Sequence, residues 1–200
     1  VIGGSKVSTK LKLIEFYAKK YSKVIIGGAM ANTMVLANGC EIGESIYEKR
    51  MIEISKDILS NYSEKLLIPS DFIVTDKKFK RKPEAKLATK IDKTDMIVDI
   101  GPQTRMSFYN EILKTKILLW NGPLGLFEKK PFDEGTCFVL NAIKANKNKN
   151  FFSVAGGGDT ISLLNNSNIY NEFSFVSTGG GAFLEFVQGK VMPGLSSLNV

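Results

Sequence analysis

Short apolar runs recur along the chain, with stretches of helical periodicity between them. The runs fall at residues 24–26, 65–68 with 72–74, 96–100, 117–120, 151–154 and 173–176. Between them, residues 11–21, 30–37, 46–59, 103–113, 136–145 and 182–187 space their apolar positions as one face of a helix. This alternation predicts an α/β fold in which about six strands form a mainly parallel sheet joined by crossover helices. Pro69, Pro83, Pro102, Pro123, Pro131 and Pro193 all stand at the proposed element ends, where a missing N–H does least harm.

A length of 200 residues suits one large domain, and 44% hydrophobic with 24% charged residues supplies a sizeable core. No apolar stretch is long enough to cross a membrane; the best, 24–37, is broken by Gly27, Gly28, Asn32 and Thr33. Histidine is absent, which removes Ser-His and Cys-His nucleophile schemes, and Cys40 and Cys137 form neither a disulfide framework nor a metal motif. The chain opens on Val1-Ile2 without an initiator methionine and is expected to be a piece of something longer, so the lack of a signal peptide carries no information. A net charge of +7 permits a polyanionic partner. It concentrates in residues 77–86 and 144–150, which lack regularly interleaved aromatics; solvated loops are expected there, with nucleic acid as the alternative.

Glycine brings in the chemistry. Gly3-Gly4, Gly27-Gly28, Gly156-Gly157-Gly158 and Gly179-Gly180-Gly181 each follow a strand-like run and precede a helical pattern. In a parallel sheet such turns share one edge, where helix amino termini converge and ligands bind. Glycine there lets the backbone approach a phosphate closely. Neither a P-loop nor a Gly-x-Gly-x-x-Gly fingerprint occurs.

Three charged residues stand beside these turns. Lys6 and Lys10 are four apart and would share a helix face near its start, where cations oppose the dipole and suit a bound polyanion. Asp159 either caps the helix after Gly158 or holds Mg²⁺ against phosphates. Together they point to phosphoryl transfer. In the segment from Trp120 to Glu128, Asn121, Pro123 and Leu126 lie on a rigid turn. Two readings stand: an ordinary turn over a buried Trp120, or an apolar slot for a base with Glu128 accepting ribose hydroxyls.

These motifs, together with residues 26–30, 67–71, 99–102 and 177–182, occur in an order and spacing that resemble the carboxy-terminal, nucleotide-binding half of phosphoglycerate kinases, over essentially all of the chain. The resemblance implies a three-layer αβα Rossmann-like domain over residues 1–200, with the amino-terminal substrate domain absent. It implies reversible phosphoryl transfer between MgATP and the carboxylate of 3-phosphoglycerate in glycolysis, with ATP/ADP as substrate and Mg²⁺ held by Asp159 through the nucleotide. Catalytic roles would fall on Lys6, Gly179, Gly180 and Gly181. Nucleotide contacts would fall on Gly4, Ser5, Lys6, Lys10, Gly28, Asn121, Pro123, Leu126, Glu128, Gly158, Asp159 and Thr160. A cytoplasmic monomer, with no nucleic-acid or membrane partner, is expected. The isolated chain should bind nucleotide yet turn over little phosphoglycerate. The alternative is a non-catalytic adenine-nucleotide module. Ser5, Ala29 and Ile97 depart from the family's usual alanine and glycines and predict a tighter slot.

Overall fold

Residues 1–3 join the two halves of the central sheet. A computed structural model describes residues 1–5, 7–167 and 169–198. In chain order its elements are α1 (Val7–Lys20), β1 (Val24–Ile25), α2 (Gly28–Ala37), α3 (Ile52–Tyr62), β2 (Leu66–Leu67), β3 (Asp71–Thr75), β4 (Glu84–Leu87), β5 (Met96–Ile100) and α4 (Pro102–Lys114). There follow β6 (Ile117–Trp120), α5 (Glu134–Ala145), β7 (Phe152–Gly156), α6 (Gly158–Ser167), β8 (Phe175–Ser177), α7 (Gly180–Val187) and α8 (Pro193–Ser196). β2 pairs in parallel with β1, and β7 with both β6 and β8. Ile2 bridges Ile26 on one side and Asn121 on the other, both in the parallel sense. Its N–H donates to Ile25 O at 2.8 Å, and the Gly3 N–H to Asn121 O at 2.8 Å. The spatial order is therefore β2, β1, residues 1–3, β6, β7, β8.

Side chains alternate across this sheet, as strand geometry requires. Val24, Ile26, Leu66 and Leu119 join a core cluster with α1, α2, α3 and α7, while Ile25, Leu67, Leu118, Trp120 and Ala155 join a second with α4, α5 and α6. Helices thus cover both faces, giving the three-layer αβα sandwich. Trp120 is fully buried and its Nε1 donates to Gly122 O at 2.8 Å. Truncation to alanine would cost about 3–5 kcal/mol.

The apolar runs at 72–74 and 96–100 lie outside the parallel sheet. β3 pairs antiparallel with both β4 and β5 in a separate three-stranded sheet. The link at 76–83 is too short for the helical crossover that parallel pairing of β3 with β4 needs, while β4 and β5 run in the same direction on either side of β3 and do not pair. Asp71 ties this sheet to α4. Its carboxylate accepts the N–H groups of Gln103 (2.9 Å) and Thr104 (2.7 Å) and the Thr104 hydroxyl (2.6 Å), capping a helix that has no side-chain cap of its own.

The basic run at 77–86 is folded rather than loosely solvated. Its end enters β4, where Lys86 Nζ meets Asp92 at 2.7 Å and Asp95 at 2.9 Å, while Arg81 also pairs with Asp95. The run at 144–150 is the expected loop beyond Ala145, with Lys144, Lys147 and Lys149 exposed and Asn146 Nδ2 anchoring it to Ile112 O and Thr115 O. No helix among the described residues is long and apolar enough to cross a membrane.

Candidate functional site

The parallel strands end along one edge, and the turns that follow them touch. Gly28 has φ +64°, and a Cβ there would lie 2.6 Å from Gly4 N and 3.1 Å from Pro123 O. Gly122 has φ +92°, with a Cβ position 2.4 Å from Gly3 O. Both positions need a residue without a side chain. Beyond them, Asn121 Nδ2 reaches Gly156 O at 2.6 Å, and the Gly122 N–H donates to Thr160 Oγ1 at 2.7 Å. The first three glycine clusters and the 121–128 segment therefore form one contiguous rim. The fourth cluster lies one strand further along the same edge, where Gly156 registers with Ser177 and Phe183 of α7 covers Gly156.

One expectation about these turns is corrected by their hydrogen bonds. The Gly4 N–H donates to Pro123 O at 2.8 Å and the Gly28 N–H to Leu124 O at 3.0 Å; those of Gly3 and Gly27 are also taken by backbone carbonyls. The first two clusters shape the surface by close packing and have no amide left to offer. α6 and α7 also start along this edge, where the first N–H groups of a helix lack intrahelical partners.

A cavity of about 300 Å³ opens on this rim. Its lining combines Gly4, Ser5, Gly28, Pro123, Glu128 and Asp159 with the apolar side chains of Ile46, Phe72, Phe79, Ile97, Leu126 and Phe127. Lys10, in the first turn of α1, folds back so that Nζ donates to Gly3 O at 2.7 Å. Burial pulls its ammonium below the usual lysine range, and the charge of Asp159 opposes that pull. α6 starts at Gly158, so Asp159 sits inside the first helical turn and not at the cap position, which removes the capping alternative. Asp99 closes the floor. Burial pushes its carboxyl up to about 7 against the Gly135 N–H, the Arg105 guanidinium and the Ile100 N–H.

Of the residues singled out from the sequence, Gly4, Ser5, Gly28, Pro123, Leu126, Glu128 and Asp159 line the cavity. Asn121 and Thr160 lie beneath the rim, 3% and 1% exposed, and their polar atoms tie strand ends together. Gly158 begins α6, and Gly180 and Gly181 begin α7 after Gly179, outside the cavity wall. Lys6 falls outside the described residues.

The sequence reading passed over Asn32, Ile46 and Phe79, all in the wall. Phe79 is hidden in the basic run, and its signal is being the lone aromatic there. It takes a left-handed φ of 56°, in a turn whose N–H groups at Lys78 and Lys80 donate to the Asp76 carboxylate. Lys129 Nζ stands 3.4 Å from its ring centroid. Asn32, with Thr33, interrupts an otherwise apolar helix.

A family model described as phosphoglycerate kinase matches residues 1–190. A phosphoglycerate kinase of Maricaulis maris is 40% identical over 204 residues, covering 99% of this chain and 50% of that protein. One of Zymomonas mobilis is 42% identical over 205 residues, covering 99% and 51%. The solved phosphoglycerate kinase of Coxiella burnetii superposes with a TM-score of 0.91 at 35% identity, over 99% of this chain and 51% of that one. The Pyrococcus horikoshii enzyme gives 0.84 at 30% identity, over 99% and 50%. The chain spans about half the length of the curated relatives it matches. Matched along nearly its whole length in both sequence and backbone course, the chain belongs to the phosphoglycerate kinase family.

Proposed function

We propose that this chain is the nucleotide-binding half of a phosphoglycerate kinase and holds ADP or ATP with Mg²⁺ in the rim cavity. The observation that carries the reading is the meeting of three sequence-distant glycine turns around one hollow, with Asp159 in its lining and Lys10 Nζ close to Gly4 and Gly122. Leu126 and the apolar wall would take the base, Glu128 the ribose hydroxyls, and Lys10 with the starts of α6 and α7 the phosphates. The donor set also suits Mg²⁺. Among the described residues no three acidic, His or Cys side chains gather to cage a metal, whereas Asp159 at the cavity offers the single carboxylate that a phosphate-bound Mg²⁺ takes. When bound, the ion would neutralise charge on the phosphate oxygens.

The reaction in this reading moves a phosphoryl group between the nucleotide and the carboxylate of 3-phosphoglycerate. The acceptor is already ionised, so no general base is required and a chain without histidine suffices. Lys6, with Gly179, Gly180 and Gly181 at the start of α7, would stabilise charge on the moving phosphoryl oxygens. The acceptor acid would come from the half that the relatives have and this chain lacks, so the chain by itself should bind nucleotide with little turnover.

Calorimetry with MgADP on the chain and on Asp159→Ala tests this reading. The expected result is saturable binding by the wild type, weakened about tenfold or more in the variant when magnesium is present and little changed without it. No heat of binding by the wild type would overturn the reading.

A further inference from the structure

Asn32 lines the cavity, and the reading above gives its polar atoms no role. It sits in α2, 4% exposed. Its amide nitrogen Nδ2 donates to Ile46 O at 3.0 Å. That contact fixes which end of the amide is which, because an oxygen facing a carbonyl would be repelled. The end left over is Oδ1, which is buried and has no hydrogen-bond partner. An enclosed acceptor without a donor is costly, so a donor brought by a ligand is well rewarded. Asp99, the other buried acceptor in the wall, is already engaged by the N–H groups of Gly135 (2.6 Å) and Ile100 (2.8 Å) and by Arg105 (3.0 Å). The same lining includes the apolar side chains of Ile46, Phe72, Ile97 and Leu126.

We propose that Asn32 Oδ1 accepts a hydrogen bond from the exocyclic amino group of adenine, making Asn32 the base-selecting residue of the cavity. The proposal rests on the reading of this cavity as a nucleotide site. A purine with a hydrogen in place of the amine leaves Oδ1 without a donor, and a keto oxygen there sets acceptor against acceptor. Ile46, 67% exposed, meets Asn32 through its backbone carbonyl, and rotation of its side chain would open the approach.

The test compares calorimetric affinities of MgADP and of the magnesium complex of purine riboside 5′-diphosphate, which is smaller than ADP and lacks only the amino group. The wild-type chain is expected to prefer ADP by about tenfold, and Asn32→Leu, of similar volume, to bring the ratio close to one by losing ADP affinity alone. A residue that merely holds Ile46 in place would weaken both ligands equally and leave the ratio intact, which overturns the proposal. Equal affinities in the wild type overturn it too, with no variant needed, so a poorly folding Asn32→Leu still leaves a decision. Failure of both ligands to bind the wild type instead removes the nucleotide reading beneath it.

Discussion

Two hollows among the described residues differ in kind, and the larger of the two is the less informative. On the face of the sheet that carries α1 and α7, Ile117, Leu119, Phe152, Val154 and Phe175 line a groove of about 410 Å³ between Tyr17 and Tyr21 on one side and Phe183 and Phe186 on the other. Several of its side chains are strongly exposed, Ile117 by 72% and Phe186 by 59%, while Tyr17 is buried. Yet it contains no glycine turn, and its charged members are Lys23 and Glu111. The rim cavity is smaller, about 300 Å³, but every parallel strand beside it ends there, and its apolar lining is joined by Asp159, with Lys10 Nζ close to Gly4. Apolar volume alone marks a surface, whereas converging strand ends mark a place where charge can be held. This is the open-sheet rule stated in side chains.

The contrast can be broken by substitution on either side. The largest effect is expected from Lys6→Ala in the chain joined to the upstream half its relatives possess: turnover in a coupled assay should fall by about two to three orders of magnitude, the loss of one oxyanion donor. Near-normal turnover would take Lys6 out of the mechanism. Next, Gly28→Ala forces a Cβ to within 2.6 Å of Gly4 N at a φ of +64°. It should lower unfolding stability in urea by about 3 kcal/mol, and an unchanged midpoint would mean that the rim is not close-packed.

Lys10→Met should weaken MgADP binding by about tenfold to a hundredfold, the worth of a charge-assisted hydrogen bond, while Lys23→Met in the groove should leave it unchanged. The pH dependence of Lys10 follows from the direction of its shift. Burial lowers its pKa, so the charged form is lost at a lower pH than in an ordinary lysine. Bound phosphates favour that charged form, so MgADP affinity should fall as pH rises through the lowered pKa and should be flat over the same range in Lys10→Met. A pH profile shared by the variant would contradict this. The smallest effect belongs to the groove: Ile117→Ser should change stability by less than about 1 kcal/mol and nucleotide affinity not at all.

Much of this contrast is legible in the sequence because local rules agree there. Glycine pairs after apolar runs announce strand-to-helix turns, and the runs themselves give the parallel strands. The antiparallel sheet is misplaced by the same logic, since apolar content at 72–74 and 96–100 reveals a strand without revealing its direction. For β4 the direction lies in the short link at 76–83, and for β5 in its tertiary pairing with β3. The donor role assigned to Gly4 and Gly28 fails for a different reason: whether an N–H is free depends on the carbonyls of Pro123 and Leu124, about 95 to 120 residues away in the chain. Phe79 and Asn32 are illegible for a third reason. An aromatic in a basic run and an amide in an apolar helix each break the local pattern, and only tertiary contacts with Lys129 and Ile46 say what the break is for.

The most direct measurement is amide NMR on the labelled chain during titration with MgADP. Shifts should concentrate at residues 3–5, 27–32, 122–128 and 157–160, with 117–119, 152–154 and 175 unmoved. Shifts centred on the groove, with the rim silent, would contradict the assignment of the nucleotide to the turn-lined cavity.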